Sequence, residues 1–157
     1  NLLNRTSSMS RKWFNNMVPK IENSSNDNYL ELYSTKKVKN YIKHFDSYEL
    51  DLAANEILDF AIKINLYLNE KQPWILIKDK KNISNVSNII YNVLESIRIV
   101  GLFLLPLLPD LSKNIDLQLG SIYKQEISWN DQLYWGLLKQ ESSLPPPSPI
   151  INKLEYE

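Results

Sequence analysis

One polar pair and one tryptophan have the types and spacing needed to read a nucleic acid base. Asn1 and Arg5 are four residues apart, so on a helix their side chains project from the same face. An amide and a guanidinium together direct several hydrogen bonds, as recognition of exposed single-stranded bases requires. Trp74 follows Pro73, which would end a helix, favour an extended Gln72 and leave the indole ring just beyond the helix end.

Such a ring can support one stacked base, a contact worth about 1–3 kcal/mol. Ser8 and Lys12 continue the row of the polar pair, and Lys12 and Lys78 are candidates for phosphate contacts. Each feature also has an ordinary structural interpretation. The row, including Lys12, fits a solvated helix face, Trp74 fits a plug at the end of a helical bundle, and Lys78 with Lys80 and Lys81 fits a solvated turn. Spacing alone leaves both interpretations open.

The chain shows none of the common catalytic signatures. It has no cysteine and a single histidine, His44, and it contains no Gly-rich phosphate loop, paired carboxylates or nucleotide-binding fingerprint. We therefore expect no catalytic residue, no metal site and no cofactor here. The 18 basic and 18 acidic residues cancel, so the chain cannot hold nucleic acid by overall positive charge, and any RNA contact must be local.

The pattern of apolar residues predicts helices throughout, because they recur at intervals of three and four and only three glycines occur. Helices are predicted at residues 2–17, 47–71, 86–104 and 109–119, with a weaker pattern at 30–44 that predicts one or two short pieces. Pro19 and the polar stretch 23–28 would end the first helix and Pro73 the second. Ser84 is a plausible N-cap for the third helix, and Gly120 a C-terminal stop for the last.

These elements predict an all-α fold, an antiparallel bundle of four to five helices with an extended C-terminal tail. The bundle would span residues 1–120. The tail, residues 121–157, contains Trp129, Trp135 and a proline-rich run, and we expect it to pack back on the bundle or on a further domain. Position 1 is not methionine and already lies within a helical pattern, which predicts a piece of a longer protein.

The apolar stretch 89–108 raises the question of a membrane span. It contains Asn92, Glu95 and Arg98, which would be costly in lipid, so the sequence favours a buried helix. Glu95 and Arg98 are three residues apart and are expected to pair with each other or with a neighbour. We find no secretory signal and expect a cytoplasmic protein without membrane contact, with an organelle as an open alternative.

Several motifs, in order along nearly the whole chain, give a more specific indication. Three of them are 1–5 (Asn-Leu-Leu-Asn-Arg), 67–74 (Tyr-Leu-Asn-Glu-Lys-Gln-Pro-Trp) and 91–99 (Tyr-Asn-Val-Leu-Glu-Ser-Ile-Arg-Ile). The others are 104–109 (Leu-Leu-Pro-Leu-Leu-Pro), Leu119-Gly120, Trp135-Gly136 and the closing segment 147–155. As an ordered set they resemble the C-terminal anticodon-binding domain of methionyl-tRNA synthetases, which are class I aminoacyl-tRNA synthetases. Residues 151–153, Ile-Asn-Lys, depart from the family's Phe-Pro-Arg.

The resemblance implies an α-helical bundle whose ligand is the CAU anticodon loop of tRNA. It implies that Asn1, Arg5 and Trp74 are the anticodon-reading residues. It also implies a parent enzyme that joins methionine to tRNA with ATP, with the ATP-binding catalytic domain upstream of Asn1 in the same chain. This part of the protein should not catalyse alone.

Two alternatives compete with that interpretation. The first is the anticodon-binding domain of another class I synthetase, which would prefer a different anticodon. The second is a non-catalytic helical module that binds proteins through its proline-rich tail and its basic patches, one of which is Lys36, Lys37, Lys39 and Lys43. A purely structural bundle would leave the ordered motifs unexplained.

Overall fold

The computed structural model describes residues 1–22, 27–148 and 150. Within them the regular structure is helical, apart from one isolated β-bridge, and the predicted all-α fold is confirmed. The α-helices are α1 (Leu2–Trp13), α2 (Tyr29–Asp46), α3 (Leu50–Lys71), α4 (Pro73–Leu76), α5 (Ile83–Leu104), α6 (Pro109–Gln118) and α7 (Trp129–Gln132). A 3₁₀ turn, Lys80–Asn82, precedes α5. Two predicted features lie partly outside the described residues. They are the closing segment 147–155, at residues 149 and 151–155, and the polar stretch 23–28, at residues 23–26.

Helix α5 is the centre of the bundle. Every residue from 86 to 103 is buried, and α1, α2, α3 and α6 all pack against it. The apolar residues on every side of α5 need cover, and its buried polar side chains need partners within the bundle. The segment Lys80–Leu104 is long and apolar enough to cross a membrane, but its apolar window lies wholly inside the bundle, in agreement with the buried helix that the sequence predicts.

Polar side chains on α5 fasten the irregular segments to the bundle. Asn88 bonds both backbone groups of Glu22, accepting from its N–H at 2.9 Å and donating to its carbonyl at 3.0 Å. Ser87 donates to the carbonyl of Lys20, and Asn92 donates to that of Asp27. Since buried polar groups need partners, these side chains fix the path of the chain between α1 and α2.

Glu95 and Arg98 hold the segment that comes after α7. Glu95 is fully buried, and its carboxylate accepts hydrogen bonds from the backbone N–H groups of Gly136, Leu137 and Leu138 at 2.7, 3.2 and 3.0 Å. Arg98 Nε and Nη2 donate to the same carboxylate at 2.8 and 2.6 Å. The predicted pairing of Glu95 with Arg98 is thus confirmed, and the pair also binds backbone.

Two segments that are far apart in the sequence meet in a short antiparallel pairing. Val18 and Glu141 lie on facing segments, where Val18 N–H donates to Ser142 O and Glu141 N–H donates to Val18 O, both at 2.8 Å. Leu144 N–H donates to Asn16 O at 2.6 Å. The residues just after α1 are therefore anchored by residues close to the C-terminus.

Several predicted boundaries were wrong. Helix α1 ends at Trp13 rather than residue 17, because Asn15 and Asn16 adopt left-handed backbone angles, with φ of 53° and 60°, and turn the chain before Pro19. The N-cap of α5 is Asn82, and Ser84 lies inside the helix. The prediction for Gly120 is confirmed, since it comes just after α6 with φ of 97°.

Helix α2 is one helix of 18 residues, not the short pieces that its weak apolar pattern predicts. Its buried face is Leu30, Ser34, Lys37 and Tyr41, which has helical spacing but two polar members. Lys37 is buried against the carboxylates of Glu56 and Asp59. Burial alone would lower the Lys37 pKa, but these carboxylates hold it above its ordinary value. Lys37 therefore does not belong to an exposed basic patch.

The predicted extended tail is wrong at Trp129–Gln132, which form the single-turn helix α7. Ser128 caps this turn by accepting from Asp131 N–H at 3.1 Å, and Trp129 Nε1 donates to Leu102 O at 2.9 Å. A side-chain cap and one bond to α5 stabilise a turn that has no apolar periodicity. The division of the chain at residue 120 stays a prediction.

Any side chain at Gly101 on α5 is expected to destabilise the fold. A Cβ there would lie 2.0 Å from the Tyr123 hydroxyl and 2.9 Å from Ile115 Cγ2, and that hydroxyl donates to Arg98 O at 3.2 Å. We expect Gly101→Ala to lower the free energy of unfolding by about 1–3 kcal/mol in urea denaturation, because overpacking outweighs the better helix propensity of alanine. Asn85→Ala, at an exposed position of the same helix, is the control. An increase in stability for Gly101→Ala would contradict the prediction.

Candidate nucleic-acid interface

Trp74 lies at a sharp corner between two helices. α3 ends at Lys71, and Gln72 has left-handed backbone angles, φ 47° and ψ 55°, so the predicted extended conformation is wrong. Pro73 ends the long helix as predicted, and it also occupies the first position of α4, where a proline lacks only an N–H that would be unpaired anyway. The corner brings the indole of Trp74 against the first turns of α1.

The groove between α1 and α4 is open to solvent and has a volume of about 400 Å³. Its lining consists of Asn1, Asn4, Arg5, Ser8, Met9 and Trp74. The Arg5 guanidinium carbon lies 5.7 Å from the centroid of the Trp74 ring, within cation–π distance. Arg5 Nη2 also donates to Asn69 Oδ1 of α3 at 3.4 Å. The groove thus combines an aromatic surface, a cation and amide groups.

The structure brings together three of the five residues that the sequence singles out. Asn1 and Arg5 are exposed in the groove, and Trp74 is half-buried, in contact with the core on one side and with the groove on the other. Lys12 and Lys78 lie outside the groove lining, Lys12 exposed and Lys78 exposed near the end of α4. Within the described part of the chain, neither lysine forms an ion pair. Their phosphate contacts stay a prediction.

Two amides near the groove were missed by the sequence interpretation. Asn4 is three residues after Asn1, so helical spacing could have placed it beside the row; its Oδ1 atom is buried without a hydrogen-bond partner among the described residues. Asn69 precedes Trp74 by five residues, and nothing in that spacing indicates that it contacts Arg5. Only the packing of α1 near the end of α3 creates that contact.

The two segments that supply the groove residues are rich in cations although the chain is neutral. Residues 1–20 and 71–81 contain eight of the 18 basic residues and one of the 18 acidic residues. Lys71 is partly neutralised, because its Nζ lies 2.6 Å from Asp27 Oδ2. Burial would raise the pKa of Asp27, but hydrogen bonds from Lys71, Tyr29 N–H and Tyr67 hold it below its ordinary value. The other cations leave these two segments positive overall, and Arg5 brings one of those charges into the groove, which favours an anionic ligand.

Comparison with known proteins identifies the family. The family model for the anticodon binding domain of methionyl tRNA ligase matches residues 18–157. The chain belongs to this family of anticodon-binding domains. Asn1 and Arg5 precede the matched range, but similarity to individual relatives extends over them. The methionine–tRNA ligases of Thermotoga maritima and Oceanobacillus iheyensis are 31% and 28% identical to this chain over 99% and 100% of its length.

Solved structures agree with the family in their fold. The free form of Mycobacterium tuberculosis methionyl-tRNA synthetase superimposes with a TM-score of 0.88 at 24% identity, over all of this chain and 32% of that protein. The same synthetase in complex with methionyl-adenylate gives 0.87 at 25% identity, over 98% of this chain and 30% of that one. The anticodon-binding domain described here spans about a quarter of the length of its curated relatives, 24% in both cases.

Proposed function

We propose that this domain recognises the CAU anticodon loop of a tRNA through the groove between α1 and α4. One observation carries the proposal: in a domain of this family, Asn1, Arg5 and Trp74 converge on one open groove although α1 and α4 are some 70 residues apart in the chain. A solvated helix face and a tryptophan that closes the end of the bundle, the ordinary structural interpretations of these residues, do not require that convergence.

In this proposal Trp74 provides the stacking surface for the first anticodon base. Its ring is held by core contacts on one side, so it needs little reordering when a base stacks on the other. Asn1 and Arg5 supply directed hydrogen bonds to the anticodon, and a base without matching groups would leave them unpaired. Lys12 and Lys78 add contacts to phosphates, whose contribution falls with salt.

The parent protein would be a methionine–tRNA ligase that joins methionine to tRNA with ATP in the cytoplasm. Its relatives are about four times as long as this chain. We place adenylation and transfer, and the ATP site, in a catalytic domain within that additional length. The domain described here would select the tRNA and would contribute no residue to the catalytic reaction.

The test is a titration of this chain with two labelled anticodon stem-loops, measured by fluorescence anisotropy. One carries CAU, and the other differs from it only at the first anticodon base. We expect at least about fivefold tighter binding of the CAU stem-loop, since one good base contact discriminates by about 1–3 kcal/mol. Circular dichroism establishes that the chain is folded in the same buffer.

The other outcomes separate the alternatives. A clear preference for a different anticodon would indicate a synthetase of another specificity. Equal binding of both stem-loops, or no binding by the folded chain, would contradict the proposed anticodon recognition by this domain and favour a protein-interaction module.

A further inference from the structure

Arg5 is held from two sides by residues that are distant in sequence. Its Nη2 donates to Asn69 Oδ1 at 3.4 Å across a separation of 64 residues, and its guanidinium carbon lies 5.7 Å from the centroid of the Trp74 ring. Resting on the proposed anticodon recognition, we infer that Asn69 is a positioning residue that sets the base preference of the groove by fixing Arg5 beside Trp74.

The geometry leaves Arg5 free to bind while it is held. A guanidinium has five N–H donors, and the bond to Asn69 uses one of them, so the others remain available to a ligand. Arg5 is exposed, and a long exposed side chain loses rotamer freedom when it binds. Fixing its direction beforehand reduces that loss and restricts which base edge it can reach.

The residue type at position 69 suits this role. An amide oxygen accepts the hydrogen bond without cancelling the charge of the guanidinium. A carboxylate would form a stronger, charge-assisted bond and neutralise Arg5, the one cationic side chain in the described lining of the groove. Asn69 thus holds Arg5 and leaves its charge available to a ligand at the same time.

A double-mutant cycle between Asn69 and Arg5 tests the inference. Asn69→Ala, Arg5→Ala and the double variant are titrated with the CAU stem-loop and with the stem-loop changed at its first base. We expect Asn69→Ala to reduce the preference for CAU by about 3–10-fold, the usual effect of one hydrogen bond. In the Arg5→Ala background the same substitution should change the preference by less than about 1.5-fold, because Asn69 acts only through Arg5.

Asn69→Asp gives an independent readout. It keeps an acceptor at the same place but adds a negative charge, so we expect weaker binding of both stem-loops and a shallower dependence of affinity on salt. Asn55→Ala is the matched control, because it is an exposed asparagine of the same helix about 20 Å away along the axis. It should change neither the preference nor the salt dependence.

Two results would overturn the positioning role while leaving anticodon recognition intact. They are an unchanged preference in Asn69→Ala, and effects of Asn69→Ala and Arg5→Ala that add independently. If the unsubstituted chain itself shows no preference for CAU, the proposed function is wrong, and the role of Asn69 is wrong with it.

Discussion

Glu95→Ala is expected to lower the free energy of unfolding by about 3–5 kcal/mol, the usual result of removing one partner of a buried ion pair. The Glu95 side chain is fully buried and accepts five hydrogen bonds, two from Arg98 and three from backbone N–H groups. Without it the Arg98 guanidinium loses its counter-charge, and Gly136, Leu137 and Leu138 lose their acceptor. Urea denaturation, with the slope checked for two-state behaviour, measures the loss.

Controls separate the buried contact from the general effect of removing a carboxylate. Glu126→Ala removes a carboxylate at an exposed position and should change stability by less than about 0.5 kcal/mol. The double variant Glu95→Leu, Arg98→Leu should stay destabilised, because the backbone N–H groups and the carbonyls of Gln132 and Tyr134 that Arg98 binds would still lack partners. A loss below about 1 kcal/mol for Glu95→Ala would contradict this account.

Trp74→Ala is expected to weaken binding of the CAU stem-loop by about 1–3 kcal/mol, roughly 5–150-fold, which is the contribution of one stacked base. Because Trp74 also contacts the core, some loss of stability will accompany the change. Anisotropy of a labelled stem-loop is the appropriate measurement, since the substitution removes one of four tryptophans and would complicate intrinsic fluorescence.

Two further variants make the Trp74 result interpretable. Trp74→Phe keeps a ring and should retain part of the affinity. Ile75→Ala alters the neighbouring residue of α4, which is 50% exposed and lies outside the groove lining, and it should bind as the unsubstituted chain does. Unchanged affinity in folded Trp74→Ala would rule out stacking on this ring.

Local spacing and the positions of proline predict a large part of the fold. The central helix, the end of α3 at Pro73 and the row of Asn1 and Arg5 all come from local spacing, and all lie where that spacing indicates. The length of helix α2 was underestimated because Ser34 and Lys37 occupy buried positions. In the sequence, a buried lysine cannot be distinguished from an exposed one until its carboxylate partners on α3 are known. Apolar patterning cannot detect a face whose polar members are satisfied by another helix.

Contacts between distant segments could not be predicted from the sequence, for a different reason. The bond between Arg5 and Asn69 and the bonds from Glu95 to the backbone of residues 136–138 depend on how the chain folds back on itself. Backbone N–H groups are the same in every residue, so no residue type indicates which of them a buried carboxylate will bind. The sequence indicates that Glu95 needs partners, and only the fold identifies them.

The pairing of residues 16–18 with residues 141–144 has a consequence for synthesis on the ribosome. Helix α1 is made well before the segment that anchors the chain just after it, because more than 120 residues separate the two. A chain that stops before residue 141 would lack this anchor, and the stretch after α1 would keep its bonds to Ser87 and Asn88 of α5. The stretch that follows the first helix of the domain thus gains part of its support only after nearly all of the domain has been made.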